Sequence, residues 1–232
     1  YHAMAAAPNY TPERVASLEL VLYGGGHIEN SLIRRMDKEW PATIRHIYGT
    51  TETMCSLYNP EPVDAPYALR PGFYSRTRVI EVGGPIDRAI GPGGEGELIV
   101  DATIDTIFSG YLNRPDATAE KVRDGWYFTG DIVRVEDNGD VTLLGRVDDM
   151  IRSGGENIHP VEVEEALSRH PEVKECAVVG IPDARWGQRV VACVVPKGAP
   201  LDPSELDRHC QSTRLASFKR PRAYLFLDAL PK

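Results

Sequence analysis

The sequence has little of what marks a membrane-spanning, exported or nucleic-acid-binding protein. No apolar run approaches the ~18 residues that a membrane-spanning helix needs, and residues 1–5 lack the charged and apolar segments of a signal peptide. Acidic residues outnumber basic ones by 34 to 26, and the resulting net charge of −8 argues against nonspecific nucleic-acid binding. We therefore expect a cytoplasmic protein without a membrane span or a nucleic-acid partner.

Cysteine is also scarce. Cys55, Cys176, Cys193 and Cys210 lie far apart, and no two of them form a Cys-x-x-Cys pair. Because three of them stand in apolar or amphipathic runs, reduced core thiols are favoured over disulfides or zinc ligands. A hydrophobic fraction of 42% and a charged fraction of 26% are ordinary for a globular protein, and 232 residues allow one or two domains.

The beginning of the chain alternates strands and helices. Residues 18–23 predict a short strand that enters three glycines at 24–26, and residues 28–40 carry apolar side chains at helical spacing. A second strand is predicted at 43–47, so the order of elements indicates a parallel α/β sheet. Ligands of such sheets bind beyond the carboxyl ends of the strands, which here carry the glycines and residues 48–52.

The middle of the chain has a different texture, rich in proline and glycine and poor in helical periodicity. Short strands are predicted at 77–82, 97–100, 132–136 and 141–144. Residues 137–140 (Asp-Asn-Gly-Asp) predict a hairpin turn between the last two of these strands. The composition therefore indicates a small β-rich subdomain.

The last third of the chain predicts helices and strands in alternation. The helices are expected at 160–170 and 203–210, and the strands at 173–180, 189–196 and 223–227. The fold class is therefore α/β, in three parts joined in series. We expect the end of a parallel α/β subdomain at 1–70, a β-rich subdomain at 71–147, and a compact α+β C-terminal domain at 148–232 that follows a hinge.

Two stretches within residues 1–147 carry residues suited to nucleotide chemistry. Residues 48–52 (Tyr-Gly-Thr-Thr-Glu) offer two hydroxyls and a carboxylate for phosphate and a divalent metal, and a tyrosine ring for a base. The same Thr-Thr-Glu is equally typical of a helix cap. Residues 126–131 end in Asp131, which is either an acceptor for two ribose hydroxyls or a residue of a hairpin turn.

Two further stretches lie later in the chain. Residues 145–160 combine charges, the adjacent Gly154 and Gly155, and a final proline, which predicts a surface connection between two domains. Arg146 in this connection is available to a phosphate or sugar oxygen. Residues 217–222 (Ser-Phe-Lys-Arg-Pro-Arg) are basic within an acidic protein, so they form either a solvated strand entrance or a seat for a phosphorylated ligand.

Taken in order, three of these motifs resemble those of the adenylate-forming superfamily. They are Tyr-Gly-Thr-Thr-Glu at 48–52, Tyr-Phe-Thr-Gly-Asp at 127–131 and the run from Gly-Arg-Val-Asp-Asp to Gly-Gly-Glu-Asn-Ile at 145–158. The superfamily contains acyl-CoA synthetases, luciferases and peptide-synthetase adenylation domains, and the resemblance covers the whole chain. Residues 48–58, 110–119 and 185–188 are most similar to 4-chlorobenzoate–CoA ligases and related aryl-CoA ligases.

The resemblance implies an AMP-forming acid–thiol ligase that uses ATP, Mg²⁺ and coenzyme A. Such an enzyme first adenylates a carboxylate and then transfers the acyl group to coenzyme A. A benzoate-like aryl acid is the expected substrate, with a fatty acid as the alternative. A carrier-protein-loading adenylation domain and a non-catalytic nucleotide-binding module stay open as alternative functions, and a homodimer is the expected assembly.

The resemblance also implies roles for individual residues at the nucleotide. Thr50 and Thr51 match positions that contact phosphate, and Glu52 matches the glutamate that binds magnesium; Thr51 and Glu52 are the expected catalytic residues. Tyr48 matches the residue that packs on adenine. The other expected nucleotide-binding residues are Gly25 and Gly26 at the adenine edge and Asp131 and Arg146 at the ribose.

The thiol and acyl groups have their own expected residues by the same resemblance. Asp148 matches the hinge about which the small domain swings between the half-reactions. The residues expected at coenzyme A are Gly154, Gly155, Trp186, Phe218, Arg220 and Arg222. The residues expected to line the acyl pocket are Gly24, Ile47, Gly49, Met54 and Cys55.

The chain departs from the family pattern in two respects. Cys55 stands where a polar residue is expected, so a para-chloro preference is not carried over, and we expect its thiol to be buried and inert. The family's phosphate loop is expected upstream of residue 1 and its catalytic lysine shortly after Lys232. We therefore expect the chain by itself not to adenylate a carboxylate.

Overall fold

The structure, a computed structural model, describes residues 1–5, 7–25, 30–198, 201–213 and 215–231. The chain divides into two compact units, Tyr1–Leu143 and Leu144–Lys232. This boundary falls a few residues before the expected start of the C-terminal domain at Asp148, which therefore lies inside the second unit. The predicted α/β class is confirmed.

The first unit opens with a four-stranded sheet. Its strands are β1 (Leu20–Tyr23), β2 (Thr43–Tyr48), β3 (Leu57–Asn59) and β4 (Arg70–Pro71), in that order. Strands β1 and β2 pair in parallel, as predicted. Helices α1 (His2–Ala5) and α2 (Asn30–Glu39) belong to the same part, and Ile28, where we expected α2 to start, lies outside the described residues.

This sheet is stabilised by the apolar face of α2. Ile33 and Met36 are buried there with Val21 and Ile44 of the sheet, because residues three apart on a helix share one face. Strands β3 and β4 pair antiparallel to their neighbours and were not predicted. Strands of two or three residues are too short to show an alternating pattern in the sequence.

A second sheet of the first unit is antiparallel and carries the strands predicted for the middle of the chain. It contains β5 (Thr77–Ile80), β6 (Glu95–Asp101), β7 (Val122–Arg123), β8 (Trp126–Val135) and β9 (Val141–Arg146). The order is β5-β6-β8-β7, and β9 pairs with β8. Helix α3 (Pro115–Lys121), which was not predicted, precedes β7.

The turn reading of residues 126–131 was wrong. Asp131 lies inside the ten-residue strand β8, where it is buried. The glycine before it suggested a hairpin, but Gly130 is part of an irregularity within the strand. The hairpin turn at 137–140 does join β8 to β9, and Glu136 donates its backbone N–H to the Asp140 carbonyl at 2.8 Å.

The second unit packs two helices against a five-stranded sheet. Its strands are β10 (Ile151–Ser153), β11 (Glu156–Ile158), β12 (Val173–Asp183), β13 (Gly187–Pro196) and β14 (Ala223–Phe226). The order is β11-β10-β13-β12, with β14 parallel to β13. Helices α4 (Pro160–Ser168) and α5 (Pro203–Ser212) bury Leu167 and Leu206 in the shared core.

The connection at 145–160 is more structured than we expected. Strands β10 and β11 within it form an antiparallel hairpin, and Ile151 and Ile158 are buried in the core of the second unit. The sequence pattern does not show this hairpin, because only one apolar side chain in each strand faces the core and the residues between them are charged residues and glycines. Among the described residues, no helix is long and apolar enough to cross a membrane.

Candidate functional site

A tight loop follows β2 and carries the Tyr-Gly-Thr-Thr-Glu motif. The Tyr48 carbonyl accepts the Ser56 N–H at 2.9 Å, and the Thr50 N–H donates to the hydroxyl of the fully buried Thr53 at 3.1 Å. A Cβ on Gly49 would lie 1.5 Å from the Met54 carbonyl oxygen. Only glycine therefore fits in this tight loop, so Gly49 has a structural role in addition to its expected place in the acyl pocket.

Glu52 projects from this loop towards an aromatic cluster. Its carboxylate accepts the Tyr111 hydroxyl at 2.5 Å, and its carbonyl accepts the Phe108 N–H at 2.8 Å. Partial burial raises the pKa of Glu52, but hydrogen bonds from Tyr111 and Thr50 outweigh it and hold that pKa below its usual value. Burial and the Glu52 carboxylate in turn raise the pKa of Tyr111. Glu52 is thus an ionised carboxylate at neutral pH with one oxygen held by a phenol.

Tyr48 and Asp131, both expected at the nucleotide, come together from different sheets. The Tyr48 hydroxyl donates to the Asp131 carboxylate. Asp131 is 6% exposed and its strand is buried on both sides of it, so its direction is fixed. A carboxylate can accept several hydrogen bonds, which makes its chemistry suitable for a diol. Thr51, the other expected catalytic residue, is exposed in the loop after β2.

The expected acyl-pocket residues lie at the ends of β1 and β2. A Cβ on Gly24 would lie 2.4 Å from the Ile47 carbonyl oxygen, so these two backbones are in contact. Met54 is exposed and has a left-handed φ of 54°. Gly25 has a φ of 77° and open space beside it, whereas Gly26 lies outside the described residues.

Cys55 corrects one expectation, because it is exposed rather than buried. Its Sγ nevertheless faces the chain and donates to the Leu57 carbonyl at 3.5 Å. This partial desolvation raises the pKa of the thiol, so the reactive thiolate is disfavoured. The expected inertness therefore has a physical cause other than full burial.

In the second unit, Gly154 and Gly155 form the turn of the β10–β11 hairpin. Their φ angles are 63° and 88°, the pair of left-handed conformations that a two-residue hairpin turn requires. The Gly154 N–H donates to the Trp186 carbonyl at 2.9 Å, and a Cβ on Gly154 would lie 2.9 Å from the indole. The hairpin is held further by Gln188, whose side-chain oxygen accepts the Arg152 N–H at 2.7 Å.

Arg146 and Asp148 are exposed at a cavity of about 320 Å³ within the second unit. Glu164 of α4 also lines it and accepts the Val178 N–H at 2.7 Å. Burial and, to a smaller extent, the nearby Asp149 raise the pKa of Glu164. The expected hinge residue therefore lies in an acidic, solvent-open region rather than in a packed core.

The basic stretch at 217–222 precedes β14 and is only partly available to a ligand. Arg220 donates to both carboxylate oxygens of Asp207 at 3.0 and 3.2 Å, and Lys219 pairs with Glu162 at 2.5 Å. Phe218 and Arg222 are exposed. The structure thus ties Arg220 to α5 and leaves Phe218 and Arg222 at the surface.

The sequence did not single out Tyr111 or Gln188 as functional residues. Both lie in the runs at 110–119 and 185–188 that carry the family resemblance. Neither has a local signal, because each acts through a partner more than 30 residues away, Glu52 for the first and Arg152 for the second. Such pairs become visible only once the chain is folded.

Two family models match most of the chain. They are AMP-binding enzyme, over residues 1–112, and AMP-binding enzyme C-terminal domain, over residues 162–232. A 4-chlorobenzoate–CoA ligase of Arthrobacter sp is 47% identical over 232 residues, which make up 100% of this chain and 44% of that protein. The class that these matches define is that of the AMP-binding enzymes.

Solved structures agree with this class. ATP-bound MatB from Rhodopseudomonas palustris has a TM-score of 0.86 at 30% identity, covering 100% of this chain and 46% of that one. The o-succinylbenzoate CoA synthetase (MenE) of Bacillus subtilis, in complex with its acyl-adenylate intermediate, has a TM-score of 0.81 at 30% identity, covering 92% and 43%. The chain belongs to the adenylate-forming superfamily, and it spans less than half the length of these relatives.

The Tyr111 hydroxyl is expected to set the protonation of Glu52. Tyr111→Phe removes the donor, so the pKa of Glu52 should rise towards its ordinary value, measured by NMR titration of the carboxyl carbon. A lowered pKa stabilises the fold above the unfolded value of about 4.3 and ceases to do so as the pH falls through the folded value. The substitution should therefore destabilise the protein more at pH 7 than at pH 3. Equal losses at both pH values, or the same effect in the control Tyr74→Phe at an exposed tyrosine, would contradict this.

Gly154 and Gly155 provide a matched pair for the hairpin turn. Each replacement by alanine should destabilise the turn by ~1 kcal/mol because of its left-handed φ. Gly154→Ala should in addition displace the indole of Trp186, since the new Cβ would be too close to it, whereas Gly155→Ala meets open space. Tryptophan fluorescence, assigned with Trp186→Phe, should therefore change only for Gly154→Ala. Identical spectra for the two variants would show that the contact is not made.

Proposed function

We propose that this chain is part of an ATP-dependent acid–thiol ligase that adenylates a carboxylate and transfers the acyl group to coenzyme A. The observation that carries the proposal is the meeting of Tyr48 with the Asp131 carboxylate, beside a loop that holds Glu52 ionised. A diol acceptor and an anionic carboxylate are what a nucleotide with a divalent cation needs. The relatives named as CoA ligases support the same reading.

The nucleotide is assigned to the first unit by this proposal. Asp131 accepts the ribose hydroxyls, Tyr48 packs on the base with its hydroxyl fixed, and Gly25 and Gly26 are assigned to the adenine edge. Thr50 and Thr51 donate to phosphate oxygens. Arg146, the last residue of β9, is assigned to a sugar or phosphate oxygen of the nucleotide.

Glu52 is the proposed magnesium ligand. Mg²⁺ is commonly bound by one or two carboxylates together with substrate phosphates, so the protein needs to provide only a single ionised glutamate as a ligand. When bound there, Mg²⁺ would neutralise phosphate charge and polarise a phosphoryl oxygen. The Tyr111 hydroxyl orients the carboxylate and keeps it ionised.

Coenzyme A is assigned to the second unit. Gly154 and Gly155 are assigned to the thin pantetheine arm: Gly155 has open space beside it, and the Trp186 indole packs against Gly154. Phe218 and Arg222 are the exposed residues proposed for the nucleotide end. Arg220 contributes to this surface through its ion pair with Asp207, which fixes the stretch to α5. Direct binding of phosphate by Arg220 would require that pair to open.

A benzoate-like aryl acid is the proposed substrate, bound by Gly24, Ile47, Gly49, Met54 and Cys55. These side chains are apolar or small, which suits an aromatic ring, although medium-chain fatty acids meet the same description. A cytoplasmic location and a homodimer complete the proposal. Loading of a carrier protein is the second candidate, and the exposed Phe218 and Arg222 favour free coenzyme A over it.

The full-length protein should release AMP and form an acyl thioester only when ATP, an aryl acid and coenzyme A are all present. The test compares benzoates with medium and long fatty acids, each with coenzyme A or a carrier protein as the acceptor. Asp131→Asn should lower thioester formation at least tenfold, since an amide is a weaker acceptor for ribose hydroxyls than a carboxylate. Asp137→Asn, in the exposed β8–β9 turn, is the matched control. AMP binding without any acyl transfer would support the nucleotide-binding module instead.

Asp148 is the proposed hinge, and its backbone freedom is testable in the full-length protein. Asp148→Pro fixes φ near −65° and should spare one half-reaction while slowing the other. Pyrophosphate exchange reports the first half-reaction and thioester formation from a preformed acyl-adenylate reports the second. Asp148→Ala keeps the backbone free and should leave both rates close to those of the unaltered protein. Equal loss in both half-reactions for the proline variant, or no loss, would reject the hinge assignment.

A further inference from the structure

The pairing of β6 with β8 is interrupted at the residue that carries the ribose-binding carboxylate. Glu97 pairs with Ile132 and Ile99 with Phe128, so Thr129, Gly130 and Asp131 stand opposite Leu98 alone. The extra residues form a bulge in β8, and Gly130 within it has a left-handed φ of 74°. Bulges of this kind redirect a side chain out of the regular alternation of a strand.

Side chains replace the ladder hydrogen bonds that the bulge removes. The Thr129 hydroxyl donates to the Leu98 carbonyl at 2.7 Å and accepts the Asp131 N–H at 3.0 Å. The Gly130 N–H donates to a carboxylate oxygen of Glu97 at 3.0 Å. The backbone on both sides of Gly130 is therefore fixed by two side chains, and one of them is a charged group of the neighbouring strand.

Glu97 lies in surroundings that are unfavourable for a carboxylate. It is 7% exposed, and burial raises its pKa, with the nearby Asp131 adding a smaller contribution in the same direction. The Gly130 N–H and the cations Arg123 and Lys121 act against this. A buried carboxylate costs free energy unless its hydrogen bonds serve it well. The bond to Gly130 is the contact that accounts for its placement.

We propose that Glu97 is a positioning residue for Asp131: its buried carboxylate holds the Gly130 bulge in the conformation that directs the Asp131 carboxylate to the Tyr48 hydroxyl. The role depends on the reach of the Glu97 side chain and not on its charge, because the acceptor oxygen must meet a backbone N–H at a fixed place. The part that concerns nucleotide binding rests on the proposed function. The part that concerns the bulge does not.

A crossed pair of substitutions separates reach from charge. Glu97→Gln keeps the length and an acceptor oxygen but loses the charge, whereas Glu97→Asp keeps the charge but is too short for the Gly130 N–H. Amide hydrogen exchange of Gly130, measured by NMR on this 232-residue chain, should stay slow in Glu97→Gln and become at least tenfold faster in Glu97→Asp. Exchange of Val133, further along β8, should be slow in both. Glu95→Asp, at an exposed position of the same strand, is the matched control.

Nucleotide discrimination gives the second readout. The ratio of the dissociation constants of 2′,3′-dideoxy-AMP and AMP reports recognition of the ribose hydroxyls. Glu97→Asp and Asp131→Asn should each reduce this ratio about tenfold, and Glu97→Gln should preserve it. A ratio that survives in Glu97→Asp, or that is lost in Glu97→Gln alone, would overturn the positioning role. If neither the unaltered protein nor any variant binds AMP, the proposed function fails. Hydrogen exchange at Gly130 then decides the positioning role by itself.

Discussion

The hydrogen bond from Tyr48 to Asp131 is the interaction on which the first unit's candidate site depends. Tyr48 ends the parallel strand β2, and Asp131 lies in the antiparallel strand β8, so the bond joins two sheets of different construction. The same sheets share an apolar core in which Leu57 and Leu69 pack with Leu98 and Val133. That core fixes the distance between the sheets, and at this distance the Tyr48 ring and the Asp131 carboxylate, the proposed base-stacking ring and diol acceptor, lie together.

The candidate site contains several carboxylates although its proposed ligand is negatively charged. Glu52, Asp131 and Glu97 all lie in the first unit, and a nucleotide is itself an anion. Each carboxylate has a separate hydrogen-bond donor: Tyr111, Tyr48 and the Gly130 backbone. In the proposed assignment, Asp131 meets the neutral ribose, and a cation lies between Glu52 and phosphate. This division explains how an acidic site can hold a polyphosphate.

Much of the fold follows from the sequence, because its strands and amphipathic helices have clear periodicity. The parallel pair β1 and β2 and the helices α2, α4 and α5 were predicted in this way. The candidate-site residues that lie in one loop, such as those at 48–52, could also be predicted from the sequence. The turn that was left open as an alternative for Asp131 and the missed hairpin at Gly154 show the limit: a glycine predicts a change of direction but not whether it lies inside a sheet. Partners such as Tyr111 and Asp207 depend on long-range packing, which no local pattern records.

The bulge in β8 has a consequence for how such a site arises in a sheet. Three residues of β8 stand opposite one residue of β6, so β8 contains two extra residues. Because successive side chains of a strand alternate between its two faces, the residues on either side of the bulge keep their inward or outward orientation. Phe128 still meets Ile99, and Val133 still shares a core with Leu98. The Asp131 carboxylate thus lies in an insertion that the sheet accommodates while its core keeps the same inward-facing side chains.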